Sequence, residues 1–370
     1  MMKIFYKTLI FIILTYTLHA CHVGRYFYFN VADADDFKKF PQSEIKTSGI
    51  PFKFVSTENR PDIQLPSYLK NSGYQNLSQF IEEHKSLSFI IIRNDSILYE
   101  DYFDGYDEES VVSSFSVSKV FISALTGISI DKGKIQSVND SVTLYIPSLR
   151  GKGLKSVTIK QLLDMRSGIA FEEGYKSPFS EMAKYYYGLN LNKYVDDLEM
   201  KETPDSAYDY VSVNSQLLAM AIENAWEMPL PEILEKELWQ PIGMEYDASW
   251  NLDSKKHQTV KAFCCLNART RDFAKFGRLY LNKGNWEGMQ IISNDWVKTS
   301  LSIHNNSIDS QGYPYSYNWR VLESGDFFAK GILGQFIYVN PSKNIIIVRT
   351  GKSTDDVHWP KFFTAVCSQL

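Results

Sequence analysis

The feature that most constrains this chain is a polar segment, SSFSVSK at residues 113–119, followed directly by the apolar run at 120–125. The pattern predicts a buried helix with Ser116 in its first turn and Lys119 three residues later on the same face. A serine hydroxyl needs a base to become a nucleophile, and a lysine serves only as the neutral amine, which burial favours. The helix N-terminus would offer N–H groups to an oxyanion. The segment therefore predicts a serine nucleophile that is activated by a lysine acting as base.

Ser-x-x-Lys spacing alone is a weak signal, because only the pair Ser116/Lys119 lies between a polar segment and a long apolar helix. The same spacing recurs at three other places: Ser43/Lys46, Ser67/Lys70 and Ser129/Lys132. On the motif alone, Ser116 could equally be a helix-capping serine with an unrelated lysine nearby.

The composition of the chain indicates a globular protein and argues against one class of partner. The chain has 370 residues, a net charge of −4 and 44% hydrophobic residues, which is typical of a globular protein with a sizeable core. The mild negative charge and the absence of a basic run argue against a nucleic-acid partner.

The N-terminus reads as a targeting segment. A short basic region at 1–7 precedes an apolar stretch at 8–17, which is long enough for a signal peptide but too short to span a bilayer. Ala20 directly before Cys21 resembles the lipobox of bacterial lipoproteins, with cleavage before Cys21 and lipidation of its sulfur. We therefore predict a lipoprotein signal peptide at 1–20 and an exported protein, anchored to a bacterial membrane and facing the periplasm or exterior. A plain secretory signal is the alternative.

The four cysteines do not form a recognisable framework. If Cys21 carries lipid, three remain, and the adjacent Cys264 and Cys265 fit neither a zinc site nor a Cys-x-x-Cys redox motif. We interpret Cys264, Cys265 and Cys367 as buried, small apolar residues.

The order of the predicted elements indicates an α+β fold. After an N-terminal extension at 21–70, to which no role is assigned, two strand-like runs at 88–92 and 96–99 flank a short turn. Four more β-rich runs lie at 315–321, 326–330, 335–339 and 345–349. We predict one antiparallel sheet built from both ends of the domain at 71–370, with a mainly helical subdomain inserted at about 130–310. The Ser116 helix would lie between them, at a cleft.

Several motifs together are similar to those of the serine β-lactamase and penicillin-binding-protein superfamily. They are SVSK at 116–119, LLDMRSGI at 162–169, YDYVSVNSQLL at 208–218, LWQPIGM at 238–244 and RDFAKFG at 271–277. The chain most resembles the class C-like branch, which includes class C β-lactamases, D-alanyl-D-alanine carboxypeptidases, family VIII-type esterases and 6-aminohexanoate-dimer hydrolases. The resemblance implies the β-lactamase/transpeptidase-like fold and an acyl-enzyme mechanism.

The resemblance also implies a second box, Tyr-x-Asn, whose tyrosine shares proton transfer with the lysine. Here Tyr210 is followed by Ser212 in the third place, and Asn214 lies two residues further on. Tyr208 opens a competing frame, but Tyr210 stands at the usual distance before the two leucines at 217–218. We predict Tyr210 as catalytic and Ser212 and Asn214 as substrate-binding. A phenol is mostly protonated at neutral pH, so Tyr210 would need a cation beside it, and Lys119 is the candidate.

The implied third box, Lys/His-Thr/Ser-Gly, is best matched at 329–335. Its first position is Ala329, so the expected cation is missing, and strand alternation directs Lys330 to the opposite face. Lys330, Gly331 and Ile332 are the predicted substrate-binding residues here, with the Ile332 N–H as second oxyanion donor. The missing cation argues against binding of a β-lactam carboxylate and favours esters or simple amides.

Competing chemistries have little support in the sequence. The six histidines show no metal-ligand spacing, and there is no Gly-x-Ser-x-Gly elbow or P-loop. We predict a serine hydrolase without metal or cofactor that acts on a small-molecule or peptide-like ester or amide through an acyl-Ser116 intermediate. The alternative is a membrane-anchored binding or sensor protein of the penicillin-binding type that has lost turnover.

Overall fold

An eight-stranded sheet forms the centre of the computed structural model, which describes residues 21–57, 61–70, 72–354 and 356–370. The predicted signal peptide at 1–20 lies outside the described residues. The strands of the described chain are β1 (Gln42–Ile45), β2 (Val55–Ser56), β3 (Ser86–Arg93), β4 (Ser96–Tyr102), β5 (Val112–Ser113), β6 (Ala248–Asn251), β7 (Leu266–Ala268), β8 (Asn285–Trp286), β9 (Met289–Gln290), β10 (Tyr315–Ser316), β11 (Trp319–Val321), β12 (Phe327–Gly331), β13 (Gln335–Asn340) and β14 (Ile345–Gly351).

The large sheet joins the two ends of the domain, as the sequence predicted. Its order is β10-β11-β12-β13-β14-β3-β4-β2, and every neighbouring pair is antiparallel except β2 with β4. The pairing of β14 with β3, from Ile345 opposite Arg93 to Gly351 opposite Ser86, connects strands that are some 250 residues apart in the chain. The predicted α+β, β-lactamase/transpeptidase-like fold is confirmed.

Both faces of this sheet are covered, because its central strands carry apolar side chains at successive positions. Ile90 and Ile92 of β3 join the larger core, whereas Phe89 and Ile91 join a second core on the opposite face. Side chains alternate between faces along a strand, so a continuous apolar run serves two layers at once.

Helices cover the sheet and alternate with short strands within residues 130–310. They are α1 (His22–Phe29), α2 (Leu77–Glu83), α3 (Ser118–Asp131), α4 (Ile159–Leu163), α5 (Glu181–Tyr187), α6 (Leu191–Asp196), α7 (Val213–Trp226), α8 (Leu230–Leu234), α9 (Thr270–Leu281), α10 (Asn294–Ser300) and α11 (Trp359–Cys367). Helix α9 lies against β13 and β14, where Gly277 permits close approach: a Cβ there would meet side-chain atoms of Ile346 and Ile337 at 3.0 and 3.1 Å. None of these helices combines the length and apolar character that a bilayer span requires.

A second, four-stranded sheet, ordered β1-β6-β7-β5, was not foreseen. Strand β1 comes from the N-terminal extension and pairs antiparallel with β6, with Gln42 opposite Asn251. The Ser113 N–H of β5, just before the nucleophile, donates to the Ala34 carbonyl of the extension. The extension is therefore built into the fold beside the Ser116 segment.

Candidate active site

A tight turn presents Ser116 at the end of β5. Residues Phe115–Val117 form a 3₁₀ turn that continues directly into α3. Phe115 has a φ of +46°, a value that residues with a side chain rarely adopt, and its own side chain is buried. The strained turn leaves Ser116 half-buried just before the N-terminus of α3.

Lys119 points from α3 back to this serine. Its side chain is 1% exposed, and its Nζ lies 3.0 Å from the Ser116 Oγ. The amine also donates to the Phe263 carbonyl at 2.7 Å, a contact that fixes the side chain beside the hydroxyl. Because α3 is buried along nearly its whole length, the pair is withdrawn from water on the helix side.

Tyr210 lies on the other side of the same amine. The Lys119 Nζ is 5.1 Å from the centroid of the Tyr210 ring, and the Arg320 guanidinium is 5.9 Å from the same centroid. The structure thus brings Ser116, Lys119 and Tyr210 together. The rings of Tyr208 and Tyr210 both contact Tyr315, at 5.3 and 6.1 Å, and burial raises the pKa of the Tyr208 phenol well above the ordinary value.

Ser212 lines the pocket but is held by a carboxylate that the sequence did not single out. Its Oγ and N–H donate to the two oxygens of Glu173, at 2.5 and 2.7 Å, and the Tyr175 hydroxyl also donates to Glu173. Glu173 and Tyr175 come from the loop before α5, and no local motif marks them. They reach the site only through the tertiary fold.

Asn214 does not reach the pocket. Its side chain is fully buried, its Oδ1 accepts from the Ser167 Oγ at 2.7 Å, and its Nδ2 contacts the Met165 sulfur at 3.5 Å. The residue ties α7 to the turn after α4, so the predicted role in substrate binding has no support in this geometry.

The third-box strand lies directly beside the nucleophile turn. A Cβ at Gly331 would sit 2.6 Å from the Ser114 carbonyl oxygen, so only glycine permits this approach. Ile332, the next residue, lines the pocket together with Ser116. Ala329 is buried and places no charge there.

Lys330 faces away from the pocket, as strand alternation predicts, and this corrects its assignment as a substrate-binding residue. Its Nζ donates to Gln311 at 2.6 Å, and the side chain lines a separate cavity that also contains Trp359. Burial, assisted by the Arg320 charge, lowers the pKa of Lys330 to about 8.

The pocket at Ser116 is lined mainly by apolar and aromatic side chains, as small-molecule sites commonly are. Its lining includes Phe115, Met182, Ala183, Tyr186, Tyr187, Phe263 and Ile332. Ala32, from the N-terminal extension, also lines it. Sequence reasoning missed this wall, because the extension shows no periodicity that would dock it anywhere.

The adjacent cysteines are buried, as predicted, but they are bonded to each other, which corrects their interpretation as small apolar residues outside any disulfide. Cys264 and Cys265 form a disulfide, and Cys265 has a φ of +73°. Cys264 also lines the pocket, one residue after the Phe263 carbonyl that holds Lys119. Cys367 is free and buried, and Cys21 is exposed at the start of α1.

Comparisons with known proteins identify the family of the chain. The family model for β-lactamase matches residues 75–357. The 6-aminohexanoate-dimer hydrolase of Paenarthrobacter ureafaciens is 26% identical over 339 residues, which cover 85% of each chain.

Solved structures show the same fold. A Bacillus anthracis structure, provisionally named a 6-aminohexanoate-dimer hydrolase, superposes with a TM-score of 0.80 at 22% identity, covering 89% of this chain and 91% of that one. A family VIII carboxylesterase superposes with a TM-score of 0.63 at 17% identity, covering 78% and 93%. At these identities the structures establish the fold, and the match to the family model establishes membership. The chain therefore belongs to the β-lactamase family, in the serine β-lactamase and penicillin-binding-protein superfamily, and is a serine hydrolase.

Proposed function

We propose that the protein hydrolyses an ester or a simple amide with an apolar acyl group, through an acyl-Ser116 intermediate. The observation that carries this proposal is the buried Lys119 amine, 3.0 Å from the Ser116 Oγ and held by the Phe263 carbonyl. A nucleophile and its base within hydrogen-bond distance, with the base oriented by a third group, is the arrangement that covalent catalysis requires.

In the acylation step, the Ser116 Oγ attacks the substrate carbonyl carbon while its proton passes to the Lys119 amine. Tyr210, whose ring lies beside that amine, relays a proton to the oxygen or nitrogen of the leaving group. The bond to the leaving group breaks as the carbonyl re-forms. The Ser116 and Ile332 N–H groups are the proposed donors to the oxyanion.

Deacylation reverses these roles. A water attacks the acyl-Ser116 carbonyl and gives its proton to the same Lys119–Tyr210 pair. The pair returns a proton to the Ser116 Oγ as the acid is released, so the enzyme ends each cycle in its starting state.

The pocket wall favours an apolar acyl group over a β-lactam. Its lining is mainly hydrocarbon and aromatic, and the cation expected at the third box is replaced by buried Ala329. Lys330 is engaged by Gln311 in another cavity and does not substitute for that cation. A carboxylate-bearing substrate would find no partner at this position.

We also propose that the protein is exported and anchored to a bacterial membrane by lipid on Cys21. The support is the basic and apolar sequence at 1–17, the small Ala20 before Cys21, and the exposure of Cys21 at the start of α1.

Mass spectrometry after incubation with an activated ester tests the mechanism. Wild type should gain the acyl mass on Ser116, and Ser116→Ala should gain none. Ser67→Ala, at an exposed Ser-x-x-Lys of the same spacing, is the matched control and should label like wild type. Equal turnover by Ser116→Ala would refute the proposal. Labelling without release would favour the binding or sensor alternative.

A further inference from the structure

Exposed large hydrophobic residues cluster in the two segments that flank the active-site pocket. Phe27, Tyr28 and Val31 are 69, 67 and 53% exposed, and Tyr175 and Phe179 are 43 and 78% exposed. We call these five residues, four of which are aromatic, the aromatic rim. Single exposed apolar residues are ordinary, but a group of them marks a surface that contacts something other than water.

Hydrogen bonds tie the two segments of the rim together. The Tyr26 hydroxyl donates to the Lys176 carbonyl at 3.2 Å, which joins α1 to the loop that carries Tyr175 and Phe179. Arg25 donates to the Tyr187 carbonyl at 2.6 Å, and the Tyr187 hydroxyl donates to the Asn30 carbonyl at 2.6 Å. Helix α1 is therefore fixed on α5.

The rim also borders the pocket mouth. Ala32, one residue after Val31, lines the pocket, and Tyr175 is both a pocket-lining residue and part of the rim. Residues that are half-exposed and also line a pocket lie at its opening. A surface that contacts the rim would therefore face the opening that leads to Ser116.

The N-terminal sequence identifies the occupant of this surface. The apolar stretch at 8–17 and the small residue before Cys21 lead directly into α1, and Cys21 lies only six residues before Phe27. Lipid on Cys21 would hold α1 at the bilayer surface. Aromatic side chains are favoured at the membrane–water interface, where their rings enter the headgroup region.

We propose that the aromatic rim rests on the lipid bilayer, with the pocket mouth turned toward the membrane. This proposal rests on the proposed lipid anchor at Cys21, and it extends the proposed hydrolase function by naming where its substrate lies. Amphiphilic esters or amides held in the bilayer would reach Ser116 without first entering bulk water. Water-soluble esters would enter the same pocket without the help of the rim.

Depth-dependent quenching tests the orientation on the full, lipidated chain reconstituted in vesicles of phosphatidylethanolamine and phosphatidylglycerol. A fluorophore is attached to Phe27→Cys or Phe179→Cys, and nitroxide-labelled lipids serve as quenchers. Ile50→Cys and Met289→Cys, which replace exposed apolar residues outside the rim, are the controls. We expect quenching at least threefold stronger at 27 and 179 than at 50 and 289. Equal quenching at all four positions, or none at 27 and 179, overturns the orientation.

Activity supplies a second and independent readout. In the Phe27→Ser/Phe179→Ser variant, hydrolysis of a long-chain ester embedded in the vesicles should fall at least tenfold, whereas hydrolysis of a soluble short-chain ester should not change. An equal loss on both esters would overturn a role of the rim that is specific to substrates held in the membrane. If wild type hydrolyses neither ester, the hydrolase proposal fails, while the quenching experiment still decides the orientation.

Discussion

Two buried lysines in this molecule have the same local pattern and opposite surroundings. Lys119 in α3 and Lys275 in α9 are 1 and 0% exposed, and each follows an oxygen-bearing side chain by three residues. For Lys119 that side chain is Ser116, and for Lys275 it is Asp272. The candidate catalytic pair has a hydroxyl at the position where the structural pair has a carboxylate.

The partners decide what each amine can do. Lys275 lies 3.1 Å from Asp272 and 3.0 Å from Glu245, so its amine is bound between two carboxylates. Lys119 contacts a hydroxyl and a backbone carbonyl, neither of which carries a full charge. The two lysines are therefore equally buried and differ in their partners, because carboxylates bind Lys275 and uncharged groups contact Lys119.

The largest effect is expected at Lys119. Lys119→Met keeps an unbranched apolar stem but removes the amine that serves as the base, so kcat/KM for an ester should fall by about 10³-fold or more. The free energy of unfolding should fall by only about 1–3 kcal/mol, since a single carbonyl loses its partner. Steady-state kinetics and urea unfolding measure the two quantities. A variant that keeps a tenth of the wild-type activity would contradict the assignment.

Lys275→Met is the matched substitution and should show the reverse pattern. Removing this cation leaves the carboxylates of Asp272 and Glu245 buried without it, which should lower the free energy of unfolding by about 3–5 kcal/mol. The fraction that remains folded should keep its kcat on a soluble ester. A stable variant without activity would place Lys275 in the chemistry and break the comparison.

Tyr210→Phe should have a smaller effect than the loss of Lys119. The variant keeps the ring beside the amine and removes only the hydroxyl, so kcat should fall by about 10²-fold with little change in stability. Tyr208→Phe is the matched control, because it removes the hydroxyl of the competing frame, and its kcat should stay near wild type. If the Tyr208 variant loses more activity than the Tyr210 variant, the catalytic frame is misassigned.

The pH dependence of stability provides a further test of the structural role of Lys275. Burial raises the pKa of Asp272 above its ordinary value, and Lys275 opposes that rise. The folded state then holds the Asp272 proton more tightly than the unfolded state. Asp272 therefore lowers the stability as the pH rises from its unfolded-state pKa to its folded-state pKa.

Without Lys275 the pKa of Asp272 rises further. The stability deficit of Lys275→Met should therefore be largest at neutral pH and shrink toward pH 5, as urea midpoints at both pH values would show. A deficit that is independent of pH would mean that Asp272 is not the group left uncompensated.

Much of the fold could be predicted because its signals are local. The apolar run after Lys119 predicts α3, and the β-rich runs at 88–99 and 326–349 predict strands that meet in the large sheet. Strand alternation correctly directed Lys330 away from the pocket. These inferences need only periodicity and turn residues, which neighbouring positions in the sequence carry.

The pocket wall could not be predicted in the same way, because contacts between distant segments build it. Ala32 docks against residues more than 80 positions away, and Glu173 reaches Ser212 across 39 positions. Asn214 was assigned from its distance to Tyr210, but the buried Ser167 hydroxyl engages it instead. The spacing of residues in the sequence identifies candidates for the site. Packing decides which side of a helix faces the pocket.

The smallest effect is expected at Ser67 and Lys70, which share the Ser-x-x-Lys spacing but are both exposed. Both side chains lie in water and outside the pocket, and the pair makes no buried contact to lose. Ser67→Ala/Lys70→Ala should change the free energy of unfolding by less than about 0.5 kcal/mol and leave kcat unchanged. Urea unfolding and ester hydrolysis, measured beside Lys119→Met, check both expectations. A marked loss of activity here would mean that spacing, rather than burial without a carboxylate, confers reactivity on a lysine in this chain.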